Sequence, residues 1–170
     1  AGDEVYSSLR ELKSKKEIQS IVLDLRGNPG GLLDVAVDIC DKFLKKDLLI
    51  VSTRGKDVNS EKKYFSVEEP FVGKEKLVVL INGSSASASE IVAGAIQDHD
   101  RGVILGTQSF GKGLVQTITP LSFNTSLKIT TAKYYTPSGR CIQKVNYSKN
   151  SDVISEKDRC FPDLDPALLK

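Results

Sequence analysis

Two short runs in this 170-residue chain contain residues that can do chemistry. The first is Gly83-Ser84-Ser85-Ala86-Ser87-Ala88-Ser89-Glu90, a run of small residues between an apolar stretch and a helical one. A serine hydroxyl at a helix start lies beside exposed backbone N–H groups and the positive end of the helix dipole. Both favour negative charge developing on a neighbouring oxygen. The same letters spell a capping box, with Ser87 as N-cap and Glu90 at the third helical position. Local chemistry therefore leaves Ser87 open between a nucleophile and a helix cap. The run is not the Gly-x-Ser-x-Gly elbow of α/β-hydrolases.

A nucleophilic serine needs a base. His99 is the only histidine. At ~1.5 Å rise per residue a continuous helix puts it roughly 18 Å from Ser87, and Asp98 about 16 Å away. His99 is expected as an exposed helix-end residue. Phe110-Gly111-Lys112-Gly113 is the second run of interest, because a lysine between glycines can approach another backbone closely. To act as a base it must be neutral, which requires its pKa to fall by several units from ~10.4. Desolvation without a carboxylate partner does this. The competing reading is a surface turn lysine. A phosphate loop from Gly106 to Gly113 is disfavoured, because Gly113 stands where the hydroxyl residue belongs and a β-like run follows.

These runs must be positioned by an α/β chain. Residues 3–16 have helical apolar spacing, and 21–25 form a compact apolar run that reads as a strand. The breakers Arg26-Gly27-Asn28-Pro29-Gly30-Gly31 follow, then a helix over about 32–46 carrying Cys40 on its apolar face. Strands are predicted at 48–53, around 63–67 in a polar flap, at 77–81 and at 103–105. A helix is predicted at 88–98. Residues 114–119 and 127–134 alternate as strands and are expected in the same sheet. From Thr136 onward the chain reads as polar and irregular. In such a fold the site lies beyond the carboxyl ends of the strands, at loops 26–31 and 82–89.

Net charge is +2, with Lys and Arg spread along the chain, so a nucleic-acid interface is not expected. No apolar run reaches the ~20 residues that span a bilayer. There is no Cys-x-x-Cys or other ligand cluster, so neither metal nor organic cofactor is expected. Cys40 reads as a buried thiol, and Cys141 and Cys160 as a pair that an oxidising compartment would permit.

Taken together, Leu23-Asp24-Leu25-Arg26-Gly27-Asn28-Pro29-Gly30-Gly31, Ser85-Ala86-Ser87-Ala88-Ser89-Glu90, Phe110-Gly111-Lys112-Gly113 with Gln116, and Tyr134-Tyr135-Thr136-Pro137-Ser138-Gly139-Arg140 resemble the C-terminal processing (tail-specific) peptidases. The motifs stand in that family's order over residues 3–143. The resemblance implies an α/β core related to crotonase and Clp-type proteases, with a mostly β-sheet layer packed by helices. It implies a serine endopeptidase acting near the C-termini of polypeptides, with Ser87 as nucleophile, Lys112 as base and Gln116 orienting the lysine. The N–H of Ala88 and one from Gly30 or Gly31 would hold the oxyanion. It further implies an extracytoplasmic setting, often periplasmic, and allows for a homo-oligomer. Residues 1–143 are expected to be the catalytic core and 144–170 an irregular C-terminal extension or insertion. The family's PDZ domain and first strands are absent from this sequence, so it is expected to be a fragment. The rival readings are a non-catalytic peptide-binding module of the same fold and a crotonase-like acyl-CoA enzyme.

Overall fold

The computed structural model describes residues 2–144. In chain order the elements are α1 (Gly2–Lys15), β1 (Ser20–Asp24), α2 (Leu33–Asp41), β2 (Leu49–Gly55), β3 (Lys62–Phe65), β4 (Lys76–Ile81), α3 (Ala88–Asp98), β5 (Val103–Gly106), β6 (Leu114–Pro120) and β7 (Ser126–Tyr135). The α/β alternation expected from the apolar runs is present. The strands form two sheets. One is parallel, in the order β1-β4-β5, and the other is antiparallel, in the order β3-β2-β7-β6. β6 and β7 do share a sheet, but it is the one built on β2, apart from β1 and β4. Alternation reveals which residues face which way along a strand, not which distant strand will be the neighbour.

Helix α3 is the centre of the core. Every residue from Ala88 to Ile96 is buried, polar Ser89 and Glu90 included. It packs with Cys40, Phe43 and Leu44 from the α2 region, and with Ile50, Val51, Val79 and Ile81 from the strands. In the parallel sheet, Leu77, Val79 and Ile81 of β4 are buried, whereas Val22, Val103 and Leu105 are solvent-exposed.

The helix expected over 32–46 ends at Asp41. Phe43 and Leu44 are still buried, so the apolar stripe predicted burial correctly beyond the last helical residue. After Asp41 the chain leaves the helix in a turn, with Phe43 and Leu44 N–H both donating to Cys40 C=O (3.0 and 2.9 Å). The Asp41 carboxylate accepts the N–H groups of Val67 (2.8 Å) and Glu68 (3.2 Å), and the chain after it turns to meet that segment. His99 is also placed differently from expectation. It is half-buried at the end of α3, and its Nε2 meets the Leu49 carbonyl at 2.7 Å, because α3 ends against β2. Cys40 is fully buried, and burial pushes its thiol up. Cys160 lies outside the described residues, and with it the Cys141–Cys160 pairing that the spacing leaves open.

Candidate active site

The parallel strands β1 and β4 end side by side, and their loops are stitched together by main-chain and small polar groups. Leu25 N–H donates to Leu80 C=O at 2.9 Å, continuing the sheet past Asp24. Asn82 Oδ1 accepts from Gly27 N–H (3.0 Å) and from Ser84 N–H (3.1 Å). Asn28 C=O accepts from Ala86 N–H (3.0 Å) and Ser89 Oγ (3.1 Å). Buried Ser85 donates its hydroxyl to Leu25 C=O at 2.7 Å. Loops 26–31 and 82–89 are therefore one structural unit, and Ser87 sits at its exit into α3.

Ser87 holds φ 56° and ψ −116°. An ordinary N-cap lies in the β region, so capping does not account for this conformation. A non-glycine residue so placed costs on the order of 1–3 kcal/mol and persists only when its surroundings fix it. Its surroundings do so: Ser87 N–H donates to Glu90 Oε2 at 2.8 Å, and Ile91 N–H to Ser87 C=O at 3.0 Å. Gly30, at φ +89°, packs directly beneath. A Cβ on it would overlap Ala86 O and Ala88 N and touch Ser87 Cβ. Gly30 N–H is engaged by its own loop, donating to Asn28 Oδ1 at 2.9 Å. Gly31 faces open space.

Lys112 reaches this unit through Glu90. That side chain is buried, and its two oxygens take four donors: Ser109 Oγ (2.6 Å) and Gly111 N–H (2.7 Å) on Oε1, Ser87 N–H (2.8 Å) and Lys112 N–H (2.9 Å) on Oε2. Two donors sharing one acceptor at these lengths lie within about 6 Å of each other. One carboxylate thus fixes the main chains of the serine and lysine loops together. Burial pushes Glu90 above the usual carboxylate range, against the pull of its four donors. Phe110 N–H adds a further stitch, to Ser85 C=O at 3.0 Å.

On its other side the Gly-Lys-Gly turn is backed by residues 142–144. Gly113 N–H donates to the buried Gln143 side chain at 2.8 Å, and Lys144 N–H to Gly111 C=O at 3.0 Å. A Cβ on Gly113 would overlap Gln143 N, and one on Gly111 would overlap Lys144 Cβ. The two glycines are what allow the lysine to be presented here. Lys112 itself is exposed, and with Leu114, Gln116 and Lys144 it lines a cleft of about 480 Å³. Gln116 stands at an irregularity in the β6–β7 register, between Val115 and Gln116. Such bulges re-aim side chains.

A second cavity, of about 100 Å³, opens beside Gly30, Gly31 and Ala88, and is lined by Leu25, Leu32, Val35, Ala36, Ile39 and Val92. Asp24 and Arg26 pair at the surface next to it (2.7 Å). The Arg26 side-chain hydrogen bond brings the Asp24 carboxyl down to about 2. Asp98 is at the opposite end of α3, where it accepts from Ser138 N–H (2.8 Å) and pairs with Arg140. Burial would raise it, but hydrogen bonds from Thr136 and Ser138 and the charge of Arg140 prevail and hold it below the usual range.

Ser87, Ala88, Gly30, Gly31 and Lys112 are therefore brought together, and Gln116 shares the lysine's cleft. The sequence reading missed Glu90 as a tertiary organiser, and also Asn28, Asn82, Ser109 and Gln143. The only available signal for Glu90 was the capping-box spacing, which points to a purely local role.

The sequence pattern of Peptidase family S41 matches residues 1–153. The chain belongs to peptidase family S41. Among its S41 relatives, a carboxy-terminal-processing protease of Bartonella bacilliformis is 48% identical over 157 residues, covering 91% of this chain and 36% of that protein. Carboxyl-terminal-processing peptidase 3, chloroplastic, of Arabidopsis thaliana is 37% identical over 145 residues, covering 85% of this chain and 28% of that one. The solved photosystem II D1 C-terminal processing protease superposes with a TM-score of 0.75 at 35% identity, over 84% of this chain and 36% of that chain. This S41 chain thus spans about a third of the length of the relatives it matches.

Proposed function

We propose that this chain is the catalytic core of a serine endopeptidase that cleaves polypeptides near their C-termini, with Ser87 as nucleophile and Lys112 as general base. The observation that carries the reading is the shared carboxylate oxygen of Glu90, which sets the serine and lysine loops against each other. Strain at Ser87 supports it, because a plain cap has no use for φ 56°.

In this mechanism neutral Lys112 takes the proton of Ser87 Oγ as that oxygen attacks the scissile carbonyl carbon. The carbonyl oxygen becomes an oxyanion held by the N–H of Ala88 and that of Gly31, since Gly30 N–H already has Asn28 as partner. The C–N bond breaks and the amine departs with the proton from Lys112. Water then attacks the acyl-Ser87 ester as Lys112 takes its proton; the acyl C–Oγ bond breaks, Lys112 returns the proton to Ser87 Oγ, and the acid product leaves. Gln116, in the same cleft, orients the lysine. Lys112 is exposed in the described residues, so the dry surroundings that neutralise it come with the bound polypeptide.

The apolar cavity beside Ala88 takes the side chain on the acyl side of the scissile bond. At ~30 Å³ per water-sized atom, about 100 Å³ holds roughly three or four non-hydrogen atoms, which suits Ala, Val or Leu and not an aromatic ring. The crotonase and Clp-type cores are the wider fold relatives we assign. The chloroplastic relative fits work outside the cytoplasm, in a bacterium the periplasm or envelope.

The test is cleavage of a peptide substrate by the intact protease and by its Ser87→Ala and Lys112→Ala variants, with mass spectrometry of trapped acyl-enzyme. Both variants are expected to fall to background, and the ester to map to Ser87. Activity surviving in Ser87→Ala would leave the peptide-binding-module reading in its place.

A further inference from the structure

Among the described residues the antiparallel sheet ends on β6, which pairs with β7 alone. An edge strand offers a row of unpaired N–H and C=O groups, and proteins usually blunt it with charge or proline. Leu114–Pro120 carries no charged side chain, and its proline stands at the end away from Lys112. From Gln116 to Pro120 the strand is solvent-exposed, including Ile118. Here residues 116–120 of β6 pair with 126–130 of β7, beyond the part of β7 that pairs with β2, and such a two-stranded ribbon is marginal in water by itself.

The phase of the strand shows which groups are open next to the lysine. Tyr134 N–H donates to Gly113 C=O at 2.8 Å, so Gly113 faces β7. Strand alternation then turns the N–H and C=O of Leu114 outward, onto the open edge. Leu114 follows Lys112 by two residues, and Lys112 N–H shares an acceptor with Ser87 N–H. A chain paired on this edge would lie ~4.8 Å from β6 and run past Leu114, two residues from Lys112.

We infer that the β6 edge is the substrate dock: the polypeptide adds to Leu114–Thr119 as an extra strand, and this pairing leads its scissile bond to Ser87. The inference rests on the Ser87–Lys112 reading. It commits to an extended polypeptide because the edge is continuous with the lysine's cleft, which Leu114 and Gln116 line together with Lys112. An uncharged edge reads main chain rather than side-chain charge, so it grips many sequences and leaves selection to the cavity beside Ala88.

The experiment uses the intact protease and a peptide substrate N-methylated at one backbone nitrogen at a time on either side of the scissile bond. KM is expected to rise about tenfold at alternate positions, the size of one lost main-chain hydrogen bond, and to change little at the positions between. To locate the strand, a photo-crosslinking residue is placed at Ile118, or at Phe65 on the opposite edge of the sheet, in the Ser87→Ala background. Peptide adducts are expected from Ile118 and not from Phe65. A flat N-methyl profile, adducts from Phe65, or protein–protein adducts from Ile118 would each overturn the inference, the last by giving the edge to a second copy. Cleavage by Ser87→Ala would instead overturn the catalytic reading beneath it.

Discussion

Replacing Glu90 by glutamine is the most informative single change. The side chain keeps its size but exchanges one acceptor oxygen for an NH₂ donor. With the amide nitrogen toward Oε2, both Ser87 and Lys112 N–H lose their partner. With it toward Oε1, Ser109 Oγ can turn and accept, and only Gly111 N–H is orphaned. The second arrangement is the cheaper one. One buried donor left unpaired costs about 1–3 kcal/mol, which at roughly 2–4 °C per kcal/mol is a Tm loss of about 2–12 °C. Gly111 is also displaced, and Lys112 with it. A shift near 1 Å in a reacting group costs about a hundredfold in rate. Glu90→Gln is therefore expected to lower kcat about a hundredfold while KM stays within about threefold, because Glu90 holds protein main chain rather than substrate. Steady-state kinetics on the intact protease and a thermal melt measure both. If Tm falls as expected but kcat stays within threefold of wild type, Glu90 holds the fold and not the serine–lysine geometry, and the reasoning fails.

Three further outcomes follow from the same geometry. Gly30→Ala is expected to abolish activity and lower Tm, because its Cβ meets Ala86 O and Ala88 N at φ +89°, whereas Gly31→Ala, facing open space, should leave Tm within about 2 °C; equal Tm for the two variants would refute this packing argument. Ile39→Ala enlarges the cavity beside Ala88 and should shift the preferred residue before the scissile bond from Val or Leu toward Phe, by about 10–200-fold in relative kcat/KM over a peptide library. Asp98 has its folded pKa below the unfolded value, so its contribution is present above the unfolded pKa of ~3.9 and is lost as pH falls through the folded one. Denaturant melts from pH 6 down to pH 2 should show Asp98→Asn less stable at neutral pH and converging on wild type in acid; parallel curves would remove Asp98 from the acid response.

Much of this molecule was legible before any coordinates. The apolar runs at 21–25 and 77–81 are strands because short, β-branched stretches between breakers have little alternative. The helix at 88–98 was placed to the residue, because the small-residue run before it and the polar exit after it mark both ends. The joining of loops 26–31 and 82–89, the candidate site, was legible too, since glycines and small hydroxyl residues beyond two such strands leave room for close backbone approach. Ser87 and Lys112 emerged from a conjunction of motifs, not from either motif alone.

What the sequence by itself determined, then, is the set of local segments and the residue types that can do chemistry. Tertiary structure decided how those segments meet. Residues that cap, turn or end an element obey local rules, so they can be read along the chain. Partners tens of residues apart leave no period and no spacing. The helical spacing runs past Asp41, whereas the chain leaves the helix there and the Asp41 carboxylate holds the N–H groups of Val67 and Glu68. The same holds for His99, whose position at a helix end predicts exposure but which meets Leu49 C=O, and for β6 and β7, which join β2 in a separate sheet. Glu90 is the clearest case. Three residues after Ser87 it spells a cap, and the local half of that reading, its bond to Ser87 N–H, is present. Its bonds to Ser109, Gly111 and Lys112 exist only because folding carries a loop about twenty residues away onto the same carboxylate.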